Sequence, residues 1–158
     1  MTLRSGGQIL VDQLKIHGAR HVFCVPGESY LAVLDALPDA DIETVVCRQE
    51  GGAAYMAEAV GKLTGRPGIA MVTRGPGATN ASPGIHVASQ DSTPMILFVG
   101  QVARDMKERE AFQELNYKAV FGSMTKWAVE IDDVSRIPEI VSRAFHVAMQ
   151  GRPGPVVI

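Results

Sequence analysis

The sequence predicts an α/β domain with a mainly parallel sheet and helices on both of its faces. Two observations carry that prediction. Helical and strand patterns alternate from one end of the 158 residues to the other. The strands are apolar throughout instead of alternating, the mark of strands buried on both faces. At this length the chain can close one hydrophobic core but not two comfortable ones, so a single domain over residues 1–158 is expected.

A helical period runs over residues 7–17. The apolar strand "HVFCV" at 21–25 ends at Pro26-Gly27, residues that leave a ladder and begin a turn. Residues 30–37 read as helix, stopped by Pro38. A short β-branched strand at 44–47 precedes a helix over 50–63. "GIAMVT" (68–73) is a buried strand, after which a helical pattern reaches Gln90; Pro83-Gly84 predicts a late start or a kink. "PMILFVG" (94–100) is another buried strand, and "RDMKERE" (104–110), mixed in sign, is a solvated loop or helix face. A short helical piece near 116–122 leads to the strand "KWAVEI", and a helix over 138–149 to the last strand, "GPVVI". Right-handed crossovers then line up "VPGE", "CRQEGG", "TRGPGATN" and "GQVARD" along one sheet edge, where α/β domains bind ligands. Strand order is not encoded in the pattern.

Composition excludes several classes. Fifteen Lys and Arg stand scattered among 17 Asp and Glu, for a formal charge of −2, without the basic stripe of a nucleic-acid reader. No apolar run approaches the roughly 20 residues of a membrane helix, and "MTLRSGGQILVDQL" turns polar too soon for a secretory signal. A cytoplasmic chain with no membrane partner is expected. Cys24 and Cys47 fall in strands read as buried, as reduced thiols. His17, His21, His86 and His146 have no metal spacing with either cysteine, so no metal site is expected. The chain stops at Ile158 inside an apolar strand with no polar tail, which reads as a piece of a longer protein.

The candidate acid is Glu50, which opens the helix "EGGAAYMAEAVGKL". On a wheel of about 100° per residue, Ala53, Met56, Ala57, Val60 and Leu63 form one small-sided apolar face able to approach another backbone. Glu58 and Lys62 lie on the other side, in water, with Tyr55 beside them. Glu50 falls at the edge of the apolar face, half-buried. Two readings stay open: a first-turn acid favoured by the helix dipole, worth about 0.3–1 kcal/mol, or a group that gives and takes a proton. Gly51 and Gly52 each cost about 1 kcal/mol in a helix interior and imply that the backbone comes near something. "TRGPGATN" reads G-x-G-x-x-N from Gly75 and lacks the third glycine of a dinucleotide turn; "VGKLTG" fails as a phosphate loop. His86 and Gln90, one helical turn apart, could face a pocket. Trp127 reads as core or interface packing.

In order, "VPGE", "CRQEGGAAYMAEAVGKLTGRPG", "VTRGPGATN", "DSTPM", "AFQE", "TKW" and "GRPGPVVI" closely resemble the N-terminal pyrimidine-binding domain of thiamine-diphosphate enzymes. The nearest members are acetolactate synthases, pyruvate decarboxylases and benzoylformate decarboxylases, and the resemblance covers essentially the whole chain. It implies an open α/β fold of about six strands. It also implies a partner for Glu50: N1′ of the aminopyrimidine of thiamine diphosphate, where proton sharing promotes the ylid that attacks a 2-keto acid. By the same implication Val25, Pro26 and Gly27 line the opposed side of the site, and Thr73, Pro76, Gly77 and Asn80 lie near the pyrimidine. Glu28 stands where keto-acid decarboxylases place an acid, and Gln113 where synthases keep glutamine. Arg74 stands where synthases often carry a small residue. The family's diphosphate and metal motif, a Gly-Asp-Gly run followed by asparagine, does not occur here. The resemblance therefore implies a fragment of a three-domain enzyme, inactive alone. Its Mg2+ is held by a diphosphate-binding domain usually of another subunit, the assembly is a homodimer or tetramer, and a flavin (FAD) is left open. Alternatives are a free-standing α subunit of a two-chain decarboxylase or a non-catalytic interaction domain of the same fold. Tyr55 is a candidate interface residue.

Overall fold

At the centre of the sheet lies β3 (Gly68–Val72), buried at every position. It is flanked by β1 (His21–Cys24) and β4 (Met95–Val99) in the computed structural model, which describes residues 3–158. With β2 (Glu43–Val46), β5 (Trp127–Ala128) and β6 (Pro155–Val157), six strands form one sheet in the order β2-β1-β3-β4-β6-β5. All neighbouring pairs are parallel, as the apolar strands predict.

Alternate strand residues feed two cores. Val22, Cys24, Met71, Ile96, Phe98 and Val156 face α1 (Gly6–Ile16), α2 (Leu31–Ala36) and α7 (Ile137–Met149). Phe23, Ala70, Val72, Leu97 and Val157 face α3 (Glu50–Thr64), α4 (Pro76–Asn80), α5 (Ser82–Gln90) and α6 (Tyr117–Phe121). The expected kink at Pro83-Gly84 takes the form of a break at Ala81 between α4 and α5. Tyr30, expected to open a helix, instead closes a 3₁₀ turn, Glu28–Tyr30, and α2 begins at Leu31. Of "KWAVEI" only Trp127 and Ala128 pair, and Trp127 packs on the first core with Arg143 Cζ 4.5 Å from its ring centroid.

The small-sided face of α3 does allow close approach, but the helix is turned by about a quarter of a revolution from the expected wheel. Gly51, Ala53, Ala54, Ala57, Glu58 and Gly61 are buried, while Met56 is 45 % and Leu63 85 % exposed. The reason is space. A Cβ on Gly61 would lie 2.2 Å from Pro94 O, and one on Gly84 of α5 would lie 2.5 Å from Ala54 Cβ. Only glycine and alanine fit there, so the long apolar side chains face out. Glu58, expected in water, is the largest correction. It is 6 % exposed, its carboxylate accepts from Thr93 Oγ1 at 2.9 Å, and Lys62 Nζ lies 3.2 Å away. Lys62 bridges on to Asp91 at 2.5 Å, and hydrogen bonds first to Asp91 and then to Glu58 raise its pKa. Cys24 is buried as expected, whereas Cys47 is half-buried just beyond β2, because β2 is an edge strand open to solvent.

Two outcomes follow from this packing. Gly61→Ala is expected to lower stability by about 1–3 kcal/mol, read as a lower urea midpoint at unchanged slope. His17 stacks on Phe145 with ring centroids 4.5 Å apart, and burial first, then the charge of His146, pushes its pKa below 6.5. A lowered pKa disfavours the protonated ring in the fold. The stability it contributes is present above the unfolded value and is lost as pH falls through that value toward the folded one. Between about pH 7 and about pH 5, the wild type should therefore lose more stability than His17→Gln in paired urea titrations.

Candidate functional site

Strand β2 lies outside β1, and the chain then crosses back to place β3 on the other side of β1. The crevice at the carboxyl ends of β1 and β3 is thus the point where strand order reverses, the usual ligand position in an open α/β sheet. Val25 N still donates to Met71 O at 3.3 Å before Pro26-Gly27 turns the chain away. Tyr30, carried back by the 3₁₀ turn, reaches both strand ends, its hydroxyl donating to Val25 O with Met71 O at 3.4 Å. Burial first, then the charges of Cys24 and Glu50, holds the Tyr30 phenol above its ordinary pKa, so it stays a donor.

Across the crevice, Thr73 Oγ1 lies 2.8 Å from Ser29 Oγ, which also accepts from Arg74 N at 3.3 Å. A Cβ on Gly27 would lie 2.5 Å from Thr73 Cβ, so only glycine lets the two turns close together. Gly75, at φ 59°, swings the chain into α4 with Pro76 at the helix start. Its N–H donates to Tyr117 Oη at 2.8 Å.

Glu50 enters from a third direction as the first residue of α3, half-buried. Gln49 caps that helix, its Oε1 accepting from Gly52 N at 2.9 Å. Glu50 Oε2 accepts from Asn80 Nδ2 at 3.1 Å, while Oε1 accepts no hydrogen bond among the described residues. A Cβ on Gly77 would lie 2.8 Å from Thr73 Cγ2 and 3.3 Å from Glu50 Oε1. Gly52 differs from these crowded glycines: a Cβ there would meet nothing within 4 Å. Nothing in the described chain demands a glycine at position 52.

A second cluster adjoins the first. The Arg74 guanidinium pairs with Glu28, donates through Nε to Phe112 O at 2.9 Å, and lies over the Phe112 ring. Gln113 stands beside it at φ 63°, its Cβ 2.7 Å from where a Gly75 Cβ would be. An open cavity of about 490 Å³ lies against Glu28, Arg74, Met106 and Phe112. A more enclosed one of about 290 Å³ lies behind Tyr30, between the ends of β3, β4 and β6.

Close contacts thus join Gly27 to Thr73, Gly77 to Thr73 and Glu50, and Asn80 to Glu50, with Val25 bonded to the end of β3; Pro26 and Pro76 stand in the adjoining turns, Glu28 pairs with Arg74, and Gln113 abuts Gly75. His86 and Gln90 are both exposed, and neither lines the two cavities described above. Ser29, Tyr30 and Tyr117 went unremarked in the sequence. The first two directly follow the "VPGE" turn, a faint signal, whereas Tyr117 lies 42 residues beyond Gly75 and had none. Among the described residues no three His, Cys, Asp or Glu side chains are placed to hold a metal ion. No described helix is long and apolar enough to cross a membrane.

Comparison with known proteins bears on this geometry. The family model for the thiamine pyrophosphate enzyme N-terminal TPP binding domain matches residues 4–120. The chain is 42 % identical over 153 residues to acetolactate synthase of Bacillus subtilis (strain 168), covering 97 % of this chain and 27 % of that protein. It is 40 % identical over 156 residues to the mitochondrial acetolactate synthase of Schizosaccharomyces pombe, covering 98 % and 23 %. With the catabolic acetolactate synthase of Raoultella terrigena it shares 39 % identity over 97 % of this chain and 27 % of that protein. The chain therefore spans about a quarter of the length of these relatives.

Removing the hydroxyl that ties β1 to β3 tests the crevice itself. Tyr30→Phe is expected to cost about 1 kcal/mol of stability, with faster amide exchange confined to the Val25–Gly27 turn and the end of β3.

Proposed function

The chain belongs to the family of N-terminal TPP-binding domains of thiamine pyrophosphate enzymes, and from that premise we propose that it holds the aminopyrimidine half of thiamine diphosphate. The enzyme it serves is an acetolactate synthase-like 2-keto-acid carboligase or decarboxylase. One observation carries the reading. Glu50 is a half-buried carboxylate with one oxygen held by Asn80 and the other without a donor among the described residues, two positions before the uncrowded Gly52.

The residues fit the group on geometric grounds. Gly77 has no room for a Cβ beside Thr73, which brings the backbone of α4 close to Glu50 Oε1, and Gly52 keeps a bare backbone where the chain itself needs none. An unfilled carboxylate oxygen suits a ring nitrogen that carries a proton. When bound, thiamine diphosphate supplies the electron sink for breaking the bond between the keto carbon and the carboxylate. Glu50 would hold and return a proton at N1′. Asn80 would keep the carboxylate oriented, so that Oε1 remains the oxygen presented to the ring. Val25, Pro26, Gly27 and Thr73 would line the crevice opposite, and Pro76 would border it at the start of α4. Glu28 and Gln113 would stand on the substrate side.

The diphosphate and its Mg2+ would be bound by a second domain, from the same enzyme or a partner subunit. The exposed apolar strip of Val46 (65 %), Tyr55 (45 %), Met56 (45 %) and Leu63 (85 %), next to the Glu50 end of α3 and along it, is the surface that would meet another domain or subunit. The 158 residues alone are accordingly expected to show no turnover.

The complete protein, supplied with thiamine diphosphate and Mg2+, provides the test. Glu50→Gln should lower CO2 release from pyruvate by at least about a hundredfold and suppress deuterium exchange at C2 of the bound cofactor, followed by acid-quench NMR. Wild-type exchange in that variant would sink the role given to Glu50.

A further inference from the structure

Arg74 joins the two clusters of the site. Its backbone N–H is held by Ser29 beside Thr73, and its side chain lines the open cavity of about 490 Å³. The guanidinium is anchored by Phe112, which lines the same cavity: Phe112 O lies 2.9 Å from Nε and the ring centroid 5.9 Å from Cζ. Among the described residues its one ion-pair partner is Glu28. The two members differ in exposure: the Arg74 side chain is 13 % exposed, that of Glu28 67 %. The fixed part of the pair is therefore the cation, and the anion is an exposed carboxylate on a turn.

An ion pair with so exposed a partner is weak, so an incoming carboxylate can displace Glu28. The guanidinium also has donors to spare. It carries five N–H groups in a planar fork, and the described chain engages Nε and one Nη. A desolvated, anchored arginine facing a cavity, with its own displaceable carboxylate in place, is a site built for a carboxylate ligand.

We propose that Arg74 anchors the carboxylate of an acceptor 2-keto acid, with Glu28 filling that place when the acceptor is absent; this rests on the function proposed above. In the balanced reaction, two 2-keto acids and one proton give CO2 and a 2-hydroxy-3-keto acid. The donor's bond to its carboxylate breaks, that electron pair forms the new bond to the acceptor's carbonyl carbon, and the proton goes to the acceptor's oxygen. The donor must lose its carboxylate, and a guanidinium on it would stabilise the group that leaves, deepening the ground state. The acceptor keeps its carboxylate from substrate to product, so an arginine clamp there opposes no step.

The complete protein is assayed with one keto-acid donor and two kinds of acceptor, a 2-keto acid and an aldehyde without a carboxylate. Arg74→Gln should raise the KM for the keto-acid acceptor at least about tenfold and leave the KM for the aldehyde within about twofold. Arg74→Lys, which keeps the charge without the fork, should fall between. Glu28→Gln should lower the keto-acid KM by up to about fivefold. A readout independent of turnover is the reaction of Arg74 with phenylglyoxal, followed by peptide mass spectrometry: lactate should protect Arg74, and Glu28→Gln should increase its labelling. Equal effects of Arg74→Gln on both acceptors, or no protection by lactate, overturn the proposal while the function above stands. A wild type that releases no CO2 from 2-keto acids overturns that function and this proposal with it.

Discussion

The close approach of α3 to the sheet and to α5 is the constraint on which the site depends. Gly61 lies under Pro94 O and Ala54 against Gly84, contacts that leave no room for a larger side chain. A helix held that tightly cannot rotate or lift, and its first residue is delivered to a defined place at the carboxyl end of the sheet. Glu50 is that residue. The buried Glu58 strengthens the same hold: its Oε1, accepting from Thr93 with Lys62 beside it, ties the middle of α3 to the segment that enters β4.

Three carboxylates, two on this helix and one on the turn after β1, have three different surroundings, and those surroundings separate their roles. Glu58 is enclosed, and its Oε1 is held within the chain by both Thr93 and Lys62, which makes it structural. Glu28 is exposed and paired with Arg74. Glu50 is half-buried, oriented by a neutral amide, and keeps one oxygen unengaged. A carboxylate held by an amide carries no compensating cation, so its free oxygen remains available for a ring proton. The same amino acid thus serves as brace, as displaceable counter-ion and as candidate proton carrier, according to what stands beside it.

Much of the fold was legible because its signals are local and redundant. Continuous apolar strands announced a sheet covered on both faces, and Pro83-Gly84 announced the break between α4 and α5. The errors have a common physical source. The wheel for α3 ranked Met56 and Leu63 as core because they are the most apolar, but burial there is decided by the space left by neighbouring backbone. Glycine, alanine and even Glu58 displaced them. The strand pattern predicts Cys47 buried, yet β2 forms the sheet edge, and edge position is a property of strand order. His86 and Gln90 share a helix face, and that face turned out to be the solvent side.

Spacing and residue type alone determined the alternation of strands and helices, the turns that line one sheet edge, and Glu50 with its two glycines as the feature needing a partner. These follow from periodicity and backbone sterics, which act over a few residues. Tertiary structure decided the reversal of strand order between β1 and β3, the reach of Asn80 to Glu50 across 30 residues, and the pairing of Arg74 with Glu28 across 46. Such contacts depend on which strands become neighbours and how closely helices settle on them. Those outcomes belong to the packing of the whole chain, and no local pattern carries them.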